Sequence, residues 1–177
     1  MKHRVRIVVA ASLVAATLQL TGCATNAKSD AMVATPAVAV HKSSADVSVA
    51  VSGGKETTKM GASQVSNDNF AQALRDSITQ SGLFSKVADS GRYKLTAFIG
   101  KVDQPVMGFS MTVKMEVSYT LVDTSSGKTV WTENVANEYT AQASAAFAGI
   151  TRLRLANEGA AKGNIQKAIS DISTLSL

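Results

Sequence analysis

The pattern of apolar residues predicts an α+β fold. It is a two-layer domain in the order strand, helix, three antiparallel strands, helix, with both helices on one face of the sheet. Three observations carry this. From Phe109 to Leu121, seven apolar side chains alternate with six polar ones, and period two means one buried and one wet sheet face. Apolar positions recur at helical spacing in two separate stretches, Phe70 to Ile78 and Phe147 to Ile172. Short polar links join the later strands, which favours a meander.

Taken in order, Asp46–Ser52 alternates with Val47, Val49 and Val51 on one side, and Gly53-Gly54 ends it. After a polar loop to Ser66, Asn67 or Asp68 offers an N-cap for a helix whose buried stripe is Phe70, Ala73, Leu74 and Ile78. Gly82 supplies the stop, with Leu83 and Phe84 available to pack beyond it. Arg92 to Gln104 reads as a second strand with Tyr93, Leu95, Ala97 and Ile99 inward, and Gln104–Gly108 leads into the third. That strand places Phe109, Met111, Val113, Met115, Val117, Tyr119 and Leu121 inward, so Met107, Met111 and Met115 read as core filling. Asp123–Gly127 turns into a fourth strand through Val130, Trp131, Val135 and Tyr139. A last helix is expected from about Ala146 to Thr174. Gly159 and Gly163 weaken it relative to alanine, which predicts a kink or close packing on the sheet.

Ahead of this domain lies a different composition. Lys2, His3, Arg4 and Arg6 precede the uncharged run Ile7–Leu20, the make-up of a secretory signal and too short to span a bilayer in the mature chain. It ends in Leu20-Thr21-Gly22-Cys23, and Cys23 is the only cysteine of the 177 residues. This run resembles the lipobox of bacterial lipoproteins. The resemblance implies cleavage between Gly22 and Cys23, with acyl chains such as palmitate on the Cys23 thiol and the new N-terminus. In such proteins an aspartate after the cysteine signals inner-membrane retention. Ala24 therefore implies the outer membrane, with the domain facing the periplasm. The expected organisation is a lipoprotein signal peptide over 1–22, an acylated N-terminus and flexible tether over 23–45, and a periplasmic α+β domain over 46–177. Fully extended, that tether would reach about 75–80 Å.

The formal net charge of +5 includes three basic residues of the expected signal, Lys2, Arg4 and Arg6. The mature chain keeps 15 Lys and Arg against 13 Asp and Glu, a balance that does not make a nucleic-acid surface. The two histidines are His3, in the signal, and His41, in the expected tether. The domain thus has neither His nor Cys, which removes Ser-His-Asp and Cys-His nucleophile arrangements and any ordinary zinc site. No cofactor and no metal are expected. Carboxylate pairs remain, with Glu116 near Glu133 or Glu138, and Asp103 as a further acid. Twelve acids in one domain produce such proximity by chance. Val51–Thr57 lacks the Walker spacing and reads as a glycine turn. On the last helix Arg154–Glu158, Glu158–Lys162 and Lys167–Asp171 are i,i+4 pairs, the pattern of a salt-laced, solvated face. Within it, Arg152 and Arg154 in Gly149–Arg154 are the candidate partner-binding residues.

The segment Tyr119-Thr-Leu-Val-Asp-Thr-Ser-Ser-Gly-Lys-Thr-Val-Trp131 resembles a hairpin of periplasm-facing lipoproteins, among them penicillin-binding-protein activator and curli-secretion types. The helix ending in Ser81-Gly-Leu-Phe84 is similar to theirs, and Phe147–Glu158 resembles the last helix of small proteobacterial outer-membrane lipoproteins. These resemblances imply a helix-on-sheet layout and name no catalytic residue. The expected function is a lipid-anchored, non-enzymatic accessory or binding protein of the cell envelope. Its partners would be the membrane, through Cys23, and an envelope protein. The alternatives are an acyltransferase-like envelope enzyme on lipid or glycan, or a lipid or lipopolysaccharide carrier.

Overall fold

The computed structural model describes residues 24–35, 41–58 and 61–177. The signal segment and the cleavage pair Gly22 and Cys23 lie outside the described residues. Four strands form one sheet in the order β1-β2-β3-β4: β1 (Val47–Ser52), β2 (Tyr93–Asp103), β3 (Met111–Asp123) and β4 (Lys128–Ala141). β1 pairs parallel to β2, while β2, β3 and β4 form the expected antiparallel meander. Short α1 (Ser29–Met32) is followed by α2 (Asn67–Ser81), which joins β1 to β2, and by α3 (Gly149–Ile172), which closes the chain. Both long helices cover the same sheet face, giving the predicted two-layer α+β domain.

Alternation places the core where period two requires it. Val47 and Val49, Tyr93 to Ile99, and Met111 to Leu121 bury every second side chain against the helices. The other face carries Thr112, Thr120, Thr132 and Thr140, whose hydroxyls pair across strands at 2.8 Å (Thr112–Thr140) and 3.4 Å (Thr120–Thr132). α2 is capped by Ser66, ahead of both expected candidates, Asn67 and Asp68. Its hydroxyl accepts from the Asn69 amide, and Asn67 instead accepts from the Gly54 amide. Gly82 ends the helix at φ 61°, in the left-handed region that glycine enters without a Cβ penalty. Leu83 and Phe84 are buried beyond it, as expected.

α3 runs unbroken from Gly149 to Ile172, and its glycines serve close packing. A Cβ on Gly159 would stand 2.3 Å from the Tyr139 ring, and one on Gly163 2.4 Å from the Asn137 amide. Bare backbone at these two turns lets α3 lie directly on β4. One polar cluster fixes that seat: the Tyr119 hydroxyl donates to Asn164 Oδ1 at 2.8 Å, and Asn164 Nδ2 donates to the Val135 carbonyl at 2.7 Å.

Three expectations fail at element ends. β3 begins at Met111, because its last partner is Ala141 at the end of β4. Phe109 therefore leaves the sheet and is exposed, as is Met107 in the preceding loop. α3 begins at Gly149, so Phe147 also stands in solvent and contributes nothing to the apolar stripe.

The largest correction concerns the tether. Residues 24–35 are folded onto the domain, with Ala27, Met32 and Ala34 fully buried. The Ala27 amide donates to Gln64 O, the Lys28 amide to Glu158 Oε1 at 3.0 Å, and the Ala34 amide to Ser77 Oγ at 2.9 Å. This strap crosses both helices on the side away from the sheet. At the far end of the domain the His41 amide donates to Ser173 O. Small side chains let the strap sink between α2 and α3, and its amides find acceptors there.

Candidate functional site

The side chains that could do chemistry are dispersed. β3 and β4 pair Lys114 with Glu138 and Tyr119 with Glu133, so Glu138 shares the open face with Glu116 while Glu133 faces the helices. Glu138 lies 3.6 Å from Lys114, Glu133 3.4 Å from Lys167, and Asp103 2.7 Å from Lys101. Lys101 is held above its ordinary pKa by the hydrogen bond and charge of Asp103, and Lys167 likewise chiefly by Asp171. No group of three acids, histidines or cysteines arranged for a metal occurs among the described residues. The glycine turn is also occupied: the Gly54 amide goes to Asn67 and the Lys55 amide to the Val65 carbonyl.

Arg152 and Arg154 both turn toward the protein. Arg152 donates to the carbonyls of Ala146 (2.7 Å), Phe147 (2.8 Å) and Gly108 (3.3 Å), so it clamps two loops together. Its Nε is buried with no partner among the described residues. Arg154 bonds Glu158 at 2.8 Å, and that carboxylate is buried under the strap, where it also accepts the Lys28 amide. The Glu158–Lys162 pairing expected of a solvated face is replaced by this inward one.

What the fold does assemble lies at one end of the sheet. Here β2 ends, β3 and α3 begin, and the strap enters. The Ser63 hydroxyl donates to Thr25 O at 2.7 Å. The Ser63 carbonyl in turn accepts from Gln104 Nε2 and Asn157 Nδ2, both at 2.9 Å. Gln104 leads directly into Pro105–Gly108. Beside it opens a cleft of about 630 Å³ with Pro105, Met107, Met111, Ile150 and Leu153 in its walls. Sequence reasoning missed this hub, because its members are joined only by the fold.

At the opposite end the Asp123–Gly127 turn closes the β3–β4 hairpin, with Gly127 at φ 70°. Asp123 Oδ1 accepts from the Ser125 hydroxyl (2.6 Å) and amide (2.9 Å), and Oδ2 pairs with Arg92 at 3.2 Å. These bonds, Ser125 first, hold the Asp123 carboxyl at about 2, against an ordinary 3.8. A carboxylate whose folded pKa is depressed stabilises the fold above its unfolded pKa and loses that contribution as pH falls through the folded one. Asp123→Asn should therefore be less stable than the natural chain at pH 5. The gap should shrink as the pH falls from about 4 toward 2, read from paired acid-denaturation curves. A constant gap would show that the carboxylate's charge is irrelevant.

No family model matches the chain, and no curated protein matches it. Its fold is similar to that of a DUF330-family protein from Xanthomonas campestris, with a TM-score of 0.64 and 16% identity over 80% of this chain and 91% of that one. A minor lipoprotein from Acinetobacter baumannii is also similar, with a TM-score of 0.46 and 11% identity over 73% of this chain and 90% of that one. The first likeness establishes a shared fold. No helix among the described residues is long and apolar enough to cross a membrane.

Proposed function

We propose that this chain is an outer-membrane lipoprotein, acylated on Cys23, whose domain faces the periplasm and serves as a non-enzymatic accessory or binding protein of the envelope. The observation that carries the proposal is the run Leu20-Thr21-Gly22-Cys23 placed immediately ahead of the folded body. Several acyl chains hold a protein to a bilayer stably where one holds marginally. Of the acids that might have supplied catalysis, Asp103, Glu133 and Glu138 are committed to lysines, and the glycine turn to structural hydrogen bonds, which favours binding over turnover. With the strap folded, such a protein works at the membrane surface and not at the end of a long tether.

Cys23→Ser tests the anchor. The natural chain should carry acyl mass on Cys23 and fractionate with the outer membrane, and the variant should lose both. Ala24→Asp should keep the acyl mass and shift the protein to the inner membrane. A Cys23→Ser protein that stays in the outer membrane and fully restores a deletion strain would overturn the anchored reading. The accessory role predicts one dominant envelope protein on in-cell crosslinking of the acylated chain. Retained lipid or glycan with no protein partner would contradict it.

A further inference from the structure

The strap brings the attachment point and the most exposed apolar side chains to the same end of the domain. Val106, Met107, Phe109 and Phe147 are 96%, 82%, 88% and 92% exposed, an unusual cluster on a water-facing surface. They are held in place, not left loose. The Arg152 guanidinium ties Gly108 O to Ala146 O and Phe147 O, and Ser110 Oγ donates to Gln142 Oε1 across the same two loops at 3.3 Å. Thr25 is fixed to Ser63, and Ser63 to Gln104, two residues before Val106. Cys23 stands two residues before Thr25, so it cannot lie farther than about 7 Å from that fixed point.

We propose that this end of the domain is a membrane seat, in which Met107, Phe109 and Phe147, with Val106, enter the interfacial layer of the bilayer that holds the acyl chains of Cys23. The inference rests on the anchored reading above and adds an orientation to it. The occupant is lipid because acylated Cys23, two residues from the fixed Thr25, brings the bilayer to this end of the domain. A two-residue link cannot lift the loops clear of a bilayer whose interfacial layer accepts apolar side chains to a depth of about 5–10 Å. Exposed Phe and Met beside an arginine that satisfies the loop carbonyls suit that layer. Lys101 pairs with Asp103 and Lys114 with Glu138, while Arg152 keeps its charge against neutral carbonyls within the patch, so the contact is chiefly apolar and should persist at high salt.

Acylation leaves the mature protein without a free thiol, so an introduced cysteine is a unique label site. Phe109→Cys, Phe147→Cys and, as a control in the opposite turn, Ser126→Cys are made in the full acylated chain. Acylation is verified by intact mass, and a nitroxide is attached. The protein is then reconstituted in phosphatidylethanolamine and phosphatidylglycerol vesicles. Labels at 109 and 147 should become more accessible to oxygen and less to a water-soluble nickel complex, at low and high salt alike, while 126 stays aqueous. A label at Met107→Cys should move back toward water when Phe109 and Phe147 are both serine. Aqueous labels at all positions on an acylated, vesicle-bound protein would overturn the seat alone. Spin–spin broadening at 109 or 147 would show a second copy covering the patch, and would overturn it too. Missing acyl mass would overturn the anchored reading and the seat with it.

Discussion

Replacing Asn164 with alanine will cost the domain about 2–4 kcal/mol and lower its melting temperature by roughly 5–15 °C. The size follows from what is left behind. Asn164 is fully buried, and its amide bridges the Tyr119 hydroxyl of β3 and the Val135 carbonyl of β4, both buried as well. Truncation strands the Tyr119 hydroxyl where water does not reach, at about 1–3 kcal/mol, and removes the side-chain tie between α3 and the Val135 carbonyl of the β3–β4 ladder. It also opens a small void under α3. Burial pushes the Tyr119 hydroxyl far above its ordinary pKa, so the phenol remains a neutral donor in need of an acceptor. Tyr119→Phe alone should cost less, because the Asn164 amide still reaches Val135. Asn164→Ala on top of Tyr119→Phe should then cost less than it does in the natural chain. Thermal melts of the two single variants and the double variant give the coupling directly. Equal costs in both backgrounds would mean that the Tyr119–Asn164 bond contributes nothing of its own.

The same cluster marks the boundary of what sequence reveals here. Val113, Val117 and Leu121 can be assigned inward from period two alone, and Phe70, Leu74 and Ile78 from period 3.6, because burial of a whole face imposes the period. Gly159 and Gly163 are legible as close-approach points because a helix has little other use for glycine. Asn164 reads as any polar residue on a helix, since its partners lie 45 and 29 positions away. Alternation also overshoots. Phe109 continues the pattern of β3 after its partner strand has ended, and Phe147 continues that of α3 before the helix has begun. A pattern of side chains does not record where backbone pairing stops.

The strap was invisible for a further reason. Ala27, Met32 and Ala34 follow neither period, and their burial is imposed by the groove between α2 and α3. Arg152 and Arg154 carried the expected cationic surface. Arg152 bonds carbonyls of irregular loops, which no residue pattern announces, and Arg154 answers to a glutamate covered by residues 130 positions earlier. The i,i+4 pairing of Arg154 with Glu158 is legible in the sequence, and its burial is not.

That covered glutamate sets the second large effect. In Glu158→Ala the Lys28 amide loses its acceptor and Arg154 its carboxylate. Removing one partner of a buried pair is costly chiefly through the group left unpaired. Arg154 is partly exposed and can turn to water, so the loss should fall on the strap more than on the sheet. The expected result is a local opening. Amide exchange at Lys28 and Ala34 should quicken by about 100-fold, equivalent to about 2.7 kcal/mol, with a smaller change at β3 amides. Glu158→Gln, which keeps an acceptor for the Lys28 amide, should fall between. If exchange rises equally in the strap and the sheet, the strap is not a separate unit and its hold on the domain is global. If it rises in the strap alone, the consequence reaches the membrane. With residues 24–35 released, the chain from Cys23 to His41 could extend to about 60 Å, against the few ångströms that the folded strap allows. Glu158 would then decide whether the domain rests on the bilayer or swings clear of it. Glu158→Ala in the acylated chain should return nitroxides at positions 109 and 147 to water while the protein remains bound to vesicles.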